Sequence, residues 1–195
     1  MKPTLLLLVL LLSYGFLHAQ EISSVTDPRD GKTYKVIEFT IPLEGGVKVK
    51  RAWMLENMKY VIEGDSSICY DDEPAYCEKF GRLYTSQGAA AACPDGWRLP
   101  TRKDWFMLFS VFGGYTQAGK ALAEGGSSGM NFLFGGYGTE YGYYTRVGAE
   151  GNYWDSAEKG GVADGVVTIS SDKTEAVLGA VGKKYLNSCR CMKSN

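Results

Sequence analysis

Apolar and polar residues change their rhythm several times along the chain. Leu5 to Leu12 is an almost unbroken aliphatic run, with Lys2 before it and Leu17-His18-Ala19 behind it. Basic, apolar and small residues in that order predict a secretory signal peptide over 1–19, cleaved after Ala19. The run is shorter than the roughly 20 residues that a spanning helix needs. Residues 20–29 are polar and read as a short arm. Thr33 to Ile41 and Val47 to Met54 have strand composition, and Pro42 to Gly46 is turn chemistry, so an N-terminal hairpin is expected. Glu63 to Glu78 reads as a polar, acidic loop. Arg82-Leu83-Tyr84 reads as a short strand.

Helical spacing then takes over. Thr85 can cap an Ala-rich helix from Ser86 to Cys93. Thr101 to Asp104 is a variant capping box, and Trp105, Leu108, Phe109 and Phe112 behind it recur on one helical face. Gly113-Gly114 ends that helix, and Thr116 to Ala123 predicts a third. Past Gly125-Gly126 the glycines interrupt short aromatic or β-branched segments, which reads as strands and tight turns. Strands first, helices in the middle and Gly-rich strands last give an α+β fold in one domain.

Composition narrows the chemistry. Without Lys2 the chain carries 20 basic and 22 acidic side chains. A near-neutral balance with no basic run argues against nucleic acid as partner. The single histidine is His18, inside the predicted signal. A chain cleaved after Ala19 has no imidazole, which excludes His-activated nucleophiles and His-ligated metals. Five cysteines remain: Cys69, Cys77, Cys93, Cys189 and Cys191. In an exported chain disulfides are the default, at most two can form, and spacing leaves 15 arrangements open.

Several segments occur in a recognisable order. They are Asp30-Gly31-Lys32-Thr33-Tyr34, Trp53-Met54-Leu55-Glu56-Asn57-Met58, Gly81-Arg82-Leu83-Tyr84 and Cys93-Pro94-Asp95-Gly96-Trp97-Arg98-Leu99-Pro100-Thr101. Gly151-Asn152-Tyr153-Trp154-Asp155-Ser156-Ala157 and Arg190-Cys191 complete the set. Together they resemble the Fibrobacter succinogenes major paralogous domain, a family of exported bacterial domains grouped with the C-type-lectin-like fold. The resemblance covers about Asp30 to Lys193 and departs from the family where Cys189 replaces an aliphatic residue. It implies a Cys93–Cys191 disulfide, with Cys69 and Cys77 then pairing locally. Cys189 is left over, either buried or linking two chains into a dimer. It could also replace Cys191, but a Cys-X-Cys pair on one strand points to opposite faces, so only one should face Cys93. The Arg-Leu-Pro-Thr block and the terminal Arg-Cys are also similar to formylglycine-generating, sulfatase-modifying enzymes. Those use a cysteine pair for copper-dependent oxidation, but the Cys189–Cys191 spacing does not match, and no catalytic residue is assigned.

The remaining candidates concern binding. Asp65, Asp71, Asp72 and Glu73 form an acidic set that would suit calcium, though the spacing lacks a ligand motif. Asp155, Glu158 and Asp164 form a second. No other cofactor is expected. Among the late aromatics, Phe132, Phe134 and Trp154 read as core, whereas Tyr137, Tyr141, Tyr144 and Tyr153 read as surface residues for a ligand. The function expected is a non-catalytic binding module at the cell surface, in the periplasm or secreted, with carbohydrate, a cell-wall polymer or a protein as partner. A structural or adhesin component of the envelope is the alternative.

Overall fold

A computed structural model describes residues 22–156 and 162–194, and the side chain of Asp65 is not described. The predicted signal peptide 1–19 and Glu158 lie outside these residues. Among the described residues the fold is α+β, with four α-helices and two sheets.

The first sheet is built from β1 (Ile22–Thr26), β2 (Thr33–Pro42), β3 (Lys48–Met54), β6 (Trp97–Arg98) and β13 (Met192–Lys193), in the order β1-β2-β3-β13-β6. β2 and β3 pair antiparallel from Val36 opposite Met54 to Pro42 opposite Lys48. The segment read as an arm supplies β1, which pairs along β2 from Ile22 opposite Ile37. Its polar composition hid it, because an edge strand needs only backbone pairing on one side. Alternation along β2 sends Ile37, Phe39 and Ile41 into one buried cluster and Tyr34 into another.

The second sheet is mixed. It is assembled from β4 (Ser67–Ile68), β5 (Leu83–Tyr84), β9 (Glu150–Trp154), β10 (Ala163–Ser170), β11 (Ala176–Gly182) and β12 (Asn187–Ser188), in the order β11-β10-β9-β12-β5-β4. β7 (Gly135–Gly138) joins β9 in parallel and forms a hairpin with β8 (Tyr144–Val147).

The helices are α1 (Pro74–Phe80), α2 (Ser86–Ala92), α3 (Arg102–Val111) and α4 (Tyr115–Leu122). α1 begins inside the segment read as a loop, Glu63 to Glu78, and runs past its end. Pro74 opens it, where the missing N–H costs nothing, and Cys77 and Phe80 give it a buried face. The cap of α2 is as expected: the Thr85 hydroxyl accepts from Gly88 N. Gly88 also lets α2 lie against the turn at Gly64–Ser66, since a Cβ there would stand 2.1 Å from the Ser66 carbonyl oxygen. The Thr101–Asp104 capping box forms in full. It aims Trp105 of α3 at Trp53 of β3, with ring centroids 5.0 Å apart, and against Phe132 and Tyr153 beyond. Those rings form the centre of the larger core, and each fully buried aromatic is worth roughly 3–5 kcal/mol against truncation to Ala.

The chain passes between the sheets at Cys189-Arg190-Cys191, which lies between β12 and β13 and belongs to neither. Cys93, just past α2, is bonded to Cys191, and Cys69 is bonded to Cys77. The first bridge closes a loop with a sequence separation of 98, for which chain entropy gives about 4–5 kcal/mol.

Candidate functional site

The hairpin between β7 and β8 ends in a five-residue loop, Thr139 to Tyr143. Thr139 N donates to the Tyr143 carbonyl, Gly142 N donates to the Thr139 carbonyl, and the Thr139 hydroxyl accepts from Tyr141 N and Tyr143 N. Gly142 takes φ +77°, a region that side chains avoid. The loop is therefore braced from within, and its two tyrosine side chains take no part in the bracing. Tyr141 is 77 % exposed and Tyr143 is 72 % exposed. The base of the loop is fixed to the body, because Gly138 and Leu186 exchange two backbone hydrogen bonds.

Beneath this tip runs a groove of about 810 Å³. Its walls come from Thr139, Glu140 and Tyr144 of the hairpin, Ser86 and Gln87 of α2, and Lys183 and Lys184 from the stretch after β11. Lys184 pairs with Glu140 at 3.3 Å. Asp164 on β10 accepts a hydrogen bond from the Ser86 hydroxyl, and Lys183 Nζ stands 3.7 Å from its other oxygen. Burial pushes the Tyr144 hydroxyl pKa up, with Asp72 and Asp71 adding to it, so the phenol stays protonated near neutral pH. The groove thus offers hydroxyls, an amide and balanced charge pairs, while the bare rings of Tyr141 and Tyr143 stand on the same loop outside its lining.

Asp164 also lines a second cleft, of about 950 Å³, along α3 at Arg102, Lys103, Phe106 and Met107. Asp155 lies on its floor, 2.8 Å from Arg102 Nε. The fold therefore brings Asp155 and Asp164 to one cleft, where each faces a cation. Asp71 and Asp72 are exposed and left-handed, and Glu73 is the exposed N-cap of α1. Among the described residues these acids form no group of three close ligand atoms.

The predicted tyrosines separate. Tyr141 is exposed. Tyr144 is half-buried, packing on Tyr70 at 5.2 Å, and Tyr137 stacks on Tyr185 at 6.3 Å. Tyr153 is a correction: it is fully buried, its hydroxyl donates to the Leu133 carbonyl, and its ring meets Phe132 at 4.8 Å. β9 is an inner strand covered on both faces, so alternation no longer separates inside from outside there. Phe132 and Trp154 are buried, while Phe134 is half-buried at the core edge. Tyr143, Ser86, Lys183 and Lys184 were missed. Only the Thr-Glu-Tyr-Gly-Tyr turn signal pointed to Tyr143; the others reach the groove through tertiary pairing.

The cysteines need a second correction. Cys189 and Cys191 do not point apart, because 189–191 is not extended strand. Cys189 Sγ lies 3.9 Å from Cys191 Sγ and 3.9 Å from Cys93 Sγ. Cys189 is wholly buried, so a dimer linked through it would require this seam to open. Burial pushes its thiol pKa far above the usual range, with Arg190 and Arg29 pulling weakly the other way. Near neutral pH it is a thiol rather than a nucleophilic thiolate. Arg190 is also fully buried. Its guanidinium donates to Asn57 Oδ1 and to the Met130 and Asn131 carbonyls, and it lies over the Phe132 ring at 4.2 Å.

The family model described as the Fibrobacter succinogenes major domain matches residues 48–193. The chain belongs to that family. The match takes in β3 through β13, and so the Cys93–Cys191 tie and the hairpin tip of this Fibrobacter succinogenes major domain lie inside it. No curated protein and no solved structure matches the chain. Among the described residues no helix is long and apolar enough to cross a membrane.

Proposed function

We propose that this domain is an exported, non-catalytic binding module of C-type-lectin-like architecture, and that the groove under the 139–143 tip takes a carbohydrate. The observation that carries this reading is the pair of bare rings, Tyr141 and Tyr143, on an internally braced loop whose Thr139, Glu140 and Gly142 border a groove of hydroxyls and balanced charges. Aromatic faces cover the apolar face of a sugar ring, while Ser86, Gln87, Glu140 and Lys184 are of the kinds that meet its hydroxyls. Tyrosine gives large contact area at low entropic cost, which suits a recognition surface. Two disulfides support a location in an oxidising compartment. The buried, protonated Cys189 and the cation-faced Asp155 and Asp164 support a role other than catalysis.

The test is a glycan array with the oxidised protein, followed by titration calorimetry on any hit. Replacing Tyr141 and Tyr143 together by Ala should weaken binding by at least about tenfold, some 1.4 kcal/mol. Absence of any glycan signal from oxidised protein, or an unchanged affinity in the double variant, would overturn the reading.

A further inference from the structure

The three sulfurs at the seam form a set that neither the fold nor the groove explains. Cys93 and Cys191 are bonded, and Cys189 Sγ stands 3.9 Å from each. An equidistant sulfur lies beside the bond rather than on its extension. Exchange needs the attacking sulfur in line with the bond, so this placement does not favour a swap of partners. It does resemble something else. Three thiolates around one ion at about 2.3 Å sit roughly 3.8–4.0 Å apart, whether the ion is trigonal or tetrahedral. Two edges of the sulfur triangle already have that length. The third opens to it when the disulfide is reduced, from backbone positions 5.8 Å apart at Cα.

The surroundings fit a soft ion. Cys93, Cys189 and Cys191 are the one group of three or more close metal-ligating side chains among the described residues. They pack with Tyr34, Tyr84, Trp154 and Met54, which offer no carboxylate to a hard cation. Arg29, itself ion-paired with Asp27, donates to the Ala92 carbonyl next to Cys93 and so holds the backbone beside the site.

We propose that the dithiol state of this seam is a three-thiolate site for one soft metal ion of the Zn²⁺, Cd²⁺ or Cu⁺ kind. A small-molecule dithiol supplies two electrons and two protons to the Cys93–Cys191 bond and ends as its own disulfide. The metal then replaces the three thiol protons, which pass to solvent. Metal and disulfide are alternative clasps between Cys93 and Cys191, the metal taking in Cys189 as well, and this holds whether or not the groove binds carbohydrate.

The test uses the full chain, reduced anaerobically and freed of dithiol, with Cd²⁺ as the probe. Thiolate-to-cadmium absorption and thermal unfolding are read together. Expected are one Cd²⁺ per chain, a Tm that rises with added Cd²⁺, and no such response from the oxidised protein. Cys189→Ser should weaken binding by more than about tenfold, since outer-shell changes alone reach that size. The pair Cys69→Ala/Cys77→Ala should bind like the wild type. Equal binding by Cys189→Ser, loss of binding in the Cys69/Cys77 variant, binding by oxidised protein, or a reduced chain left unfolded at saturating Cd²⁺ would each overturn the proposal.

Discussion

The seam at 189–191 and the tip at 139–143 are each about five residues or fewer, and they are built on opposite rules. At the seam every side chain is buried, and the chain is held by a covalent bond, a buried guanidinium and backbone hydrogen bonds from Met54 and Met58 to the Cys191 and Cys189 carbonyls. At the tip the backbone satisfies itself and the large side chains are left in solvent. The first arrangement concentrates stability where nothing else can reach. The second leaves contact area free at little cost to the fold. A chain that must bind and also persist gains from keeping these roles on different segments.

The largest expected break is at the bridge. Cys93→Ser should cost about 4–5 kcal/mol of unfolding free energy in denaturant titration; a loss under about 1 kcal/mol would show that packing alone holds the seam. Next is Arg190→Met. It leaves Asn57 Oδ1 and the Met130 carbonyl without their buried donor, and should cost about 3 kcal/mol in the same assay. Acid acts on smaller anchors. Burial pushes the Asp104 carboxyl up, but hydrogen bonds from Arg98 and Thr101 outweigh it and hold the group below its usual value. Asp27 is lowered in the same sense, burial being outweighed by Arg29. A carboxylate depressed on folding stabilises above its ordinary pKa of about 3.9, and that contribution is lost as pH falls through the folded value. Unfolding free energy should therefore be steady from neutral pH down to about 5 and fall below about 4. Asp104→Asn should flatten that fall and cost about 1–2 kcal/mol at neutral pH, through loss of the Arg98 ion pair and weakening of the side-chain half of the capping box. At the tip, Tyr141→Ala and Tyr143→Ala should change stability by less than about 0.5 kcal/mol. A larger loss on thermal unfolding would mean that these rings pack rather than wait for a ligand.

The same contrast explains what could be read from the residues alone. Local signals survived: the Thr85 and Thr101 caps, the Trp105-Leu108-Phe109 face and the terminal glycines of α3 depend on neighbours within a turn. The Cys93–Cys191 tie came through the family resemblance, not through spacing. The direction of the Cys189 side chain was misjudged because the alternation rule assumes a strand, and the chain there is changing sheets. Tyr153 was misplaced for a related reason, since a strand with partners on both faces has no outside. The groove was invisible. Ser86, Asp164 and Lys183 are far apart in sequence and meet only through the pairing of α2, β10 and the turn after β11.

β12 sits between β9 and β5, and β13 sits between β3 and β6, so the stretch 187–193 is interior to both sheets. Until those residues have left the ribosome, neither sheet can close, and the helices and hairpins made earlier have no finished surface to dock on. Contacts so distant along the sequence make folding slow and late. A nascent chain of this design stays threadable through a narrow channel until the stretch 187–193 has been made.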